Sequence, residues 1–113
     1  MHATTLAALG EPSRFQVVEL LRDGPLSVGE IAEELRIRQP QVSKHLRVLS
    51  GSGIVAVEPL ARKRIYHLEA EPFEQMSHWV DSFERVWVTR LNSLDTYLAS
   101  INAKGNESGQ EAG

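Results

Sequence analysis

The stretch from Leu26 to Leu68 reads LSVGEIAEELRIRQPQVSKHLRVLSGSGIVAVEPLARKRIYHL. Ser27-Val28-Gly29-Glu30 has the form of a capping box, in which the hydroxyl caps the first turn and the glutamate reaches back to the cap N–H. A helix of about two turns then runs through Ile31, Ala32 and Leu35. Pro40 marks the next helix start, because a proline there gives up only an N–H that has no partner. Val42, Leu46 and Leu49 share one face of that helix, spaced by four and three. Gln41, Lys44 and Arg47 take the opposite face, Ser43 lies at its edge, and Gly51-Ser52-Gly53 closes the helix. Ile54–Val57 and Arg64–Leu68 are then rich in β-formers. The residues between them, Pro59 to Lys63, make a hairpin with a basic tip.

This order predicts a helix-turn-helix followed by a wing. The second helix needs an apolar face to hold it on the domain and hydrogen-bonding side chains outside. Those side chains can then enter a major groove about 12 Å wide. The wing, with Arg62, Lys63 and Arg64, can reach flanking phosphates or the minor groove. Taken piece by piece, a helix with basic residues outside is an ordinary solvated helix and a basic hairpin an ordinary turn. Their combination in this order points to double-stranded DNA as the partner.

The rest of the chain frames this motif. Residues 3–9 are apolar and predict a short helix ended by Gly10. Pro12 opens a second helix carrying Phe15, Val18 and Leu21, with Val17 and Leu20 widening the stripe; Asp23-Gly24-Pro25 stops it. Pro72 opens a long helix whose apolar residues are Phe73, Met76, Val80, Phe83, Trp87, Leu91, Leu94, Leu98 and Ile101. Their spacings alternate between three and four, nearly a heptad seam. Trp79, Val86 and Tyr97 widen the apolar surface. A bare stripe of this size would aggregate, and pairing across a two-fold axis would hide it, so a homodimer is expected. Residues 1–102 are expected to form one domain. Residues 103–113 lack an apolar stripe and are expected to be a disordered tail.

The charge of the 113-residue chain, −3, argues against nucleic acid until it is divided. Residues 1–35 carry −4, residues 36–68 carry +6 and residues 69–113 carry −5. The positive third coincides with the reading helix and wing, as a phosphate-binding footprint requires. There is no cysteine, which excludes disulfides, thiolate metal sites and a cysteine nucleophile. No HExxH, GxSxG or glycine-rich phosphate loop occurs, so no enzyme is expected. The longest apolar runs are four residues, such as Leu6–Leu9, so neither a membrane span nor a signal-peptide core is expected, and the cytoplasm is the expected location.

From about Leu6 to Leu98 the chain resembles the winged helix-turn-helix of the ArsR–SmtB repressors, most closely at QPQVSKHLRVL, residues 39–49, and the wing that follows. The resemblance implies a mainly α fold with a small β-hairpin, homodimeric through its terminal helices. It implies a bacterial or archaeal repressor binding a palindromic operator. Positions matching the family's DNA contacts are Gln39, Gln41, Ser43, Lys44, His45 and Arg47. The first helix, with Leu6 and Leu9, would join the last in the dimer. Many relatives have serine where this chain has Arg38; the lost side-chain cap costs about 1 kcal/mol and leaves Arg38 free for a phosphate. Ala61 stands where a turn glycine is common.

Metal sensing is a separate matter. Soft-metal sensors of the family carry Cys-Val-Cys where this chain has Ser27 and Gly29, so that site is absent. Zinc-type sensors use acid and histidine pairs on the last helix. Here Glu74, His78, Asp81 and Glu84 offer ligand types suited to zinc but not the family's pattern, and no metal or cofactor is expected. Two alternatives keep the fold: a repressor responsive to a metal or small ligand, or a protein-interaction module that does not bind DNA. The inducer is not written in the sequence.

Overall fold

Short polar contacts fix the starts of two helices, those beginning at Pro12 and Val28. The computed structural model describes the backbone of residues 1–109 and the side chains of residues 1–103. α1 (Ala3–Leu9) ends at Gly10, and α2 (Pro12–Leu21) starts two residues later with Pro12 in its first turn. The Glu11 carboxylate caps α2 by accepting from the Arg14 backbone N–H at 2.9 Å. Arg14 Nε donates to the Ala8 carbonyl at 2.6 Å, tying the end of α1 to the start of α2.

β1 (Leu26–Ser27) leads into α3 (Val28–Leu35) through the predicted capping box. Ser27 Oγ accepts from the Glu30 N–H at 3.2 Å, and Glu30 Oε1 accepts from the Ser27 N–H at 3.0 Å. These bonds, the backbone one foremost, hold the Glu30 carboxyl below the usual carboxylate range, and the charge of Lys63 adds to them. The group therefore stabilises the fold above the ordinary glutamate pKa of about 4.3, and that contribution is lost as pH falls through the lowered folded value. Ser27→Ala is expected to cost about 1 kcal/mol in urea unfolding. The stability difference between wild type and Glu30→Gln should shrink as pH falls from about 5 to about 3; a difference independent of pH would contradict this assignment.

α3 ends at Arg36, which takes the left-handed conformation at φ 56° and ψ 43° while the Ile37 N–H closes on the Ala32 carbonyl at 3.2 Å. This reversal leaves only a tight turn before α4 (Gln39–Gly51). The α4 N-cap, Arg38, makes no side-chain cap bond, as its sequence predicts; its carbonyl accepts from the Gln41 and Val42 N–H groups.

The wing is β2 (Val55–Leu60) paired with β3 (Lys63–Leu68), in register from Val55↔Leu68 to Leu60↔Lys63. Its loop is shorter than the expected Pro59–Lys63: only Ala61 and Arg62 separate the strands. Pro59 fits inside β2 because β2 is an edge strand, where a missing N–H costs no ladder bond. β1 pairs with β3 on its other side, giving a three-stranded antiparallel sheet in the order β1-β3-β2. Two residues are too few to show strand periodicity, so β1 is not readable from sequence.

Val17, Val18 and Leu21 of α2, Ile31 and Ala32 of α3, Val42, Leu46 and Leu49 of α4, and Ile54 and Val55 form one buried core with Ala8. The predicted faces of α3 and α4 supply their share; on α2, Val17 joins Val18 and Leu21 in the core while Phe15, expected in the stripe, is exposed. The chain divides into two compact units, Met1–Met76 and Ser77–Gly113, where one domain over 1–102 was expected. α5 (Ala70–Gly109) starts two residues before Pro72, which sits in the first turn, where its N–H is not needed. The helix runs to Gly109, so residues 103–109 are helical where a disordered tail was expected; residues 110–113 lie outside the described residues. An apolar stripe reports packing, whereas an established helix extends at one hydrogen bond per residue without it.

Candidate nucleic-acid interface

α4 carries the site. At about 100° per residue, Val42, Leu46 and Leu49 point inward and are fully buried. Gln41, Lys44 and Arg47 fall on the far side and are exposed, with Ser43 exposed at the edge. Arg38 is exposed at the N-cap, where unpaired N–H groups already favour an anion. Arg62, Lys63 and Arg64 are exposed at the wing turn. Among the described residues, none of these six cations is within ion-pair distance of a carboxylate; the recorded pairs involve Arg22, His45 and His67. The basic third of the chain thus keeps its charge available to an outside anion.

Two predicted residues lie nearer the neighbouring helices. Gln39 is exposed at the start of α4 beside α3, its Nε2 at ordinary contact distance, 3.4 Å, from where a Cβ on Gly29 would stand. His45 is half-buried with Nδ1 3.7 Å from Glu11 Oε2, in the packing of α4 on the start of α2. Both flank the apolar stripe rather than oppose it. An open groove of about 540 Å³ borders Gln39, with Ser27, Gly29, Glu30 and Glu33 on one side and Lys63 and Arg64 on the other.

Val48 was missed by sequence reasoning. It is exposed on the outer face in the row Gln41–Lys44–Val48. Its spacing of four from Lys44, off the buried stripe, is the signal that could have found it.

The expected dimer residues divide into two sets. Leu9 and Phe73 pack partly buried on the core of their own chain, and Met76 is half-buried. Leu6, Val80, Phe83, Trp87, Leu91, Leu94 and Leu98 are exposed, and Trp79 meets Phe83 edge-on with ring centroids 5.0 Å apart. Among the described residues, no cluster of three or more histidines and acids is arranged to hold a metal, His78 and its neighbours included.

A helix-turn-helix with a basic outer face, continued by a basic antiparallel wing, defines a winged helix-turn-helix DNA-binding protein. Comparison with known proteins gives the family. The profile described as "Bacterial regulatory protein, arsR family" matches residues 11–57. The chain is 33% identical to the HTH-type transcriptional regulator Rv2034 of Mycobacterium tuberculosis over 100 residues, 88% of each chain. It is 27% identical to the arsenical resistance operon repressor of Staphylococcus xylosus over 105 residues, 93% of each. The crystal structure of the ArsR family transcriptional regulator RHA00566 superposes with a TM-score of 0.68 at 30% identity, covering 74% of this chain and 92% of that one. The chain belongs to the ArsR family of DNA-binding transcriptional regulators, which are not enzymes. No described helix is long and apolar enough to cross a membrane.

Proposed function

We propose that this protein is a homodimeric cytoplasmic repressor that binds an inverted-repeat operator, its own promoter included, and blocks access to it. The observation that carries the reading is the set of six unpaired, exposed cations on α4 and the wing. In this account α4 lies in the major groove. Lys44 and Arg47 hydrogen-bond guanine edges and Gln41 reads adenine, while Ser43, Arg38 and the wing hold phosphates. A two-fold dimer would present its two reading helices about one helical turn of DNA apart, roughly 34–36 Å, which is why an inverted repeat is expected. The exposed seam of α5 supplies apolar surface for that dimer, and the exposed Leu6 of α1 is a second candidate contact.

The test is to let the purified chain select duplexes from a random pool and to titrate the selected duplex into isotopically labelled protein. Enrichment of an inverted repeat supports the reading. No enrichment even at low salt would leave a protein-interaction module as the better account.

A further inference from the structure

Phe15 belongs by its spacing to the apolar stripe of α2, yet it stands 53% exposed. With Glu19 and Asp23 it forms a row spaced by four along the outer side of the helix. Two open grooves, of about 350 Å³ and 330 Å³, run together beside that row, because Leu20 and Asp23 line both. Phe15 and the half-buried Leu20 and Leu35 give the first its apolar walls, and Pro25 with the half-buried Leu26 continues them into the second. The acids on this lining, Glu19 and Asp23 after α2's buried residues and Glu34 from α3, are all exposed. Arg22 pairs with Glu19 at 3.0 Å and Arg36 follows Leu35, but neither cation lines the grooves. Among the described residues, Asp23 and Glu34 are in no recorded ion pair. No residue of α4, β2 or β3 lines either groove, so this surface is separate from the one assigned to DNA.

The charge of the rim indicates the occupant. Three acids around an apolar floor repel phosphates and attract a cationic partner. Small ligands favour enclosed sites that bury most of their surface, whereas an open groove suits a peptide. From Phe15 to Asp23 the helix rises about 12 Å, close to the distance over which a docked helix presents anchors at i, i+3 or i+4, and i+7. The chain itself is a poor source of that helix. Its other unpartnered apolar face is on α5, and residues 69–113 carry −5, so acids would meet acids. We propose that the groove between α2 and α3 is the docking site for a cationic amphipathic helix of another protein. Leucine- or phenylalanine-sized anchors of that helix pack on Phe15, Leu20 and Leu35, while its lysines or arginines pair with Asp23 and Glu34. Such a partner reaches the regulator without competing for α4 or the wing. The inference goes beyond the DNA-binding reading and does not depend on it.

The test lets the purified full chain select from a random library of short peptides displayed on phage. The enriched peptides are expected to carry lysine or arginine beside apolar residues spaced by three and four. A synthetic copy of the most enriched one, titrated into isotopically labelled protein, should shift residues 15–26 and 33–36 and leave α4 unmoved. Phe15→Ser should weaken that peptide roughly tenfold or more, the usual loss at a central aromatic anchor. Asp23→Lys with Glu34→Lys should weaken it by roughly a similar factor and remove most of its salt dependence. Because Phe15 is exposed, Phe15→Ser should melt like wild type and keep its affinity for DNA. The proposal is overturned if no peptide is enriched, if the enriched peptides are neutral or acidic, or if they shift the seam of α5 instead. It is equally overturned if both variants bind the peptide as wild type does. A change in oligomer mass by light scattering for Phe15→Ser would also overturn it, because the groove would then be a contact between copies of this chain.

Discussion

The double variant Lys44→Ala, Arg47→Ala is expected to lose sequence-specific DNA binding while keeping its fold and its oligomeric state. Both side chains are exposed on the outer face of α4, so removing them leaves the buried Val42, Leu46 and Leu49 untouched. Each good contact to a base edge is worth about 1–3 kcal/mol, so removing both should weaken binding to the selected duplex by on the order of 30-fold to 10,000-fold. Binding to random duplexes should fall much less. Arg62→Ala with Arg64→Ala makes the contrast: it should weaken all sequences alike and reduce the salt slope by about one for each phosphate no longer neutralised. Fluorescence anisotropy on selected and scrambled duplexes at two salt concentrations separates the two patterns. A Lys44, Arg47 variant that still prefers its selected duplex would remove α4 as the reading element.

Leu91→Glu is expected to convert the proposed dimer into a monomer of half the mass by light scattering. Leu91 lies in the middle of the α5 seam and is half exposed within its own chain, so the substitution removes no fully buried side chain. Across a two-fold axis it would place two carboxylates near each other in an apolar interface, where desolvation and mutual repulsion both oppose association. Circular dichroism should stay helical. Affinity for an inverted repeat should drop on the order of 100-fold, because two half-sites then bind without the effective concentration that a dimer supplies. A wild-type chain that is cleanly monomeric at micromolar concentration would exclude the seam from this role.

Features written in short-range chemistry were readable in advance. Ser27 and Glu30 announce the start of α3 because a capping box needs only those two side chains at that spacing. The spacing of Val42, Leu46 and Leu49 orients α4, since a buried stripe determines which residues lie opposite. Tertiary choices were not readable. Gln39 and His45 sit at the margins of that stripe, where a small rotation decides between solvent and a neighbouring helix. For His45 the carboxylate of Glu11 decides it, whereas Gln39 stays exposed. β1 exists because β3 offers it a free edge, a property of β3 rather than of Leu26 and Ser27. The two-residue wing turn was hidden because Pro59 reads as a loop residue until β2 is known to be an edge strand. The outward placement of Val48 was legible in its spacing of four from Lys44, although its aliphatic side chain reads as core.

The central claim is that α4 and the wing together form the surface that meets DNA. Its most direct test is the titration of labelled protein with a self-selected duplex, followed by backbone amide shifts. Large changes are expected on residues 38–51 and 58–65, with Glu19, Asp23 and Glu34, three acids that border open grooves beside Leu20, unmoved. Changes centred on those acids, with α4 and the wing silent, would contradict the claim.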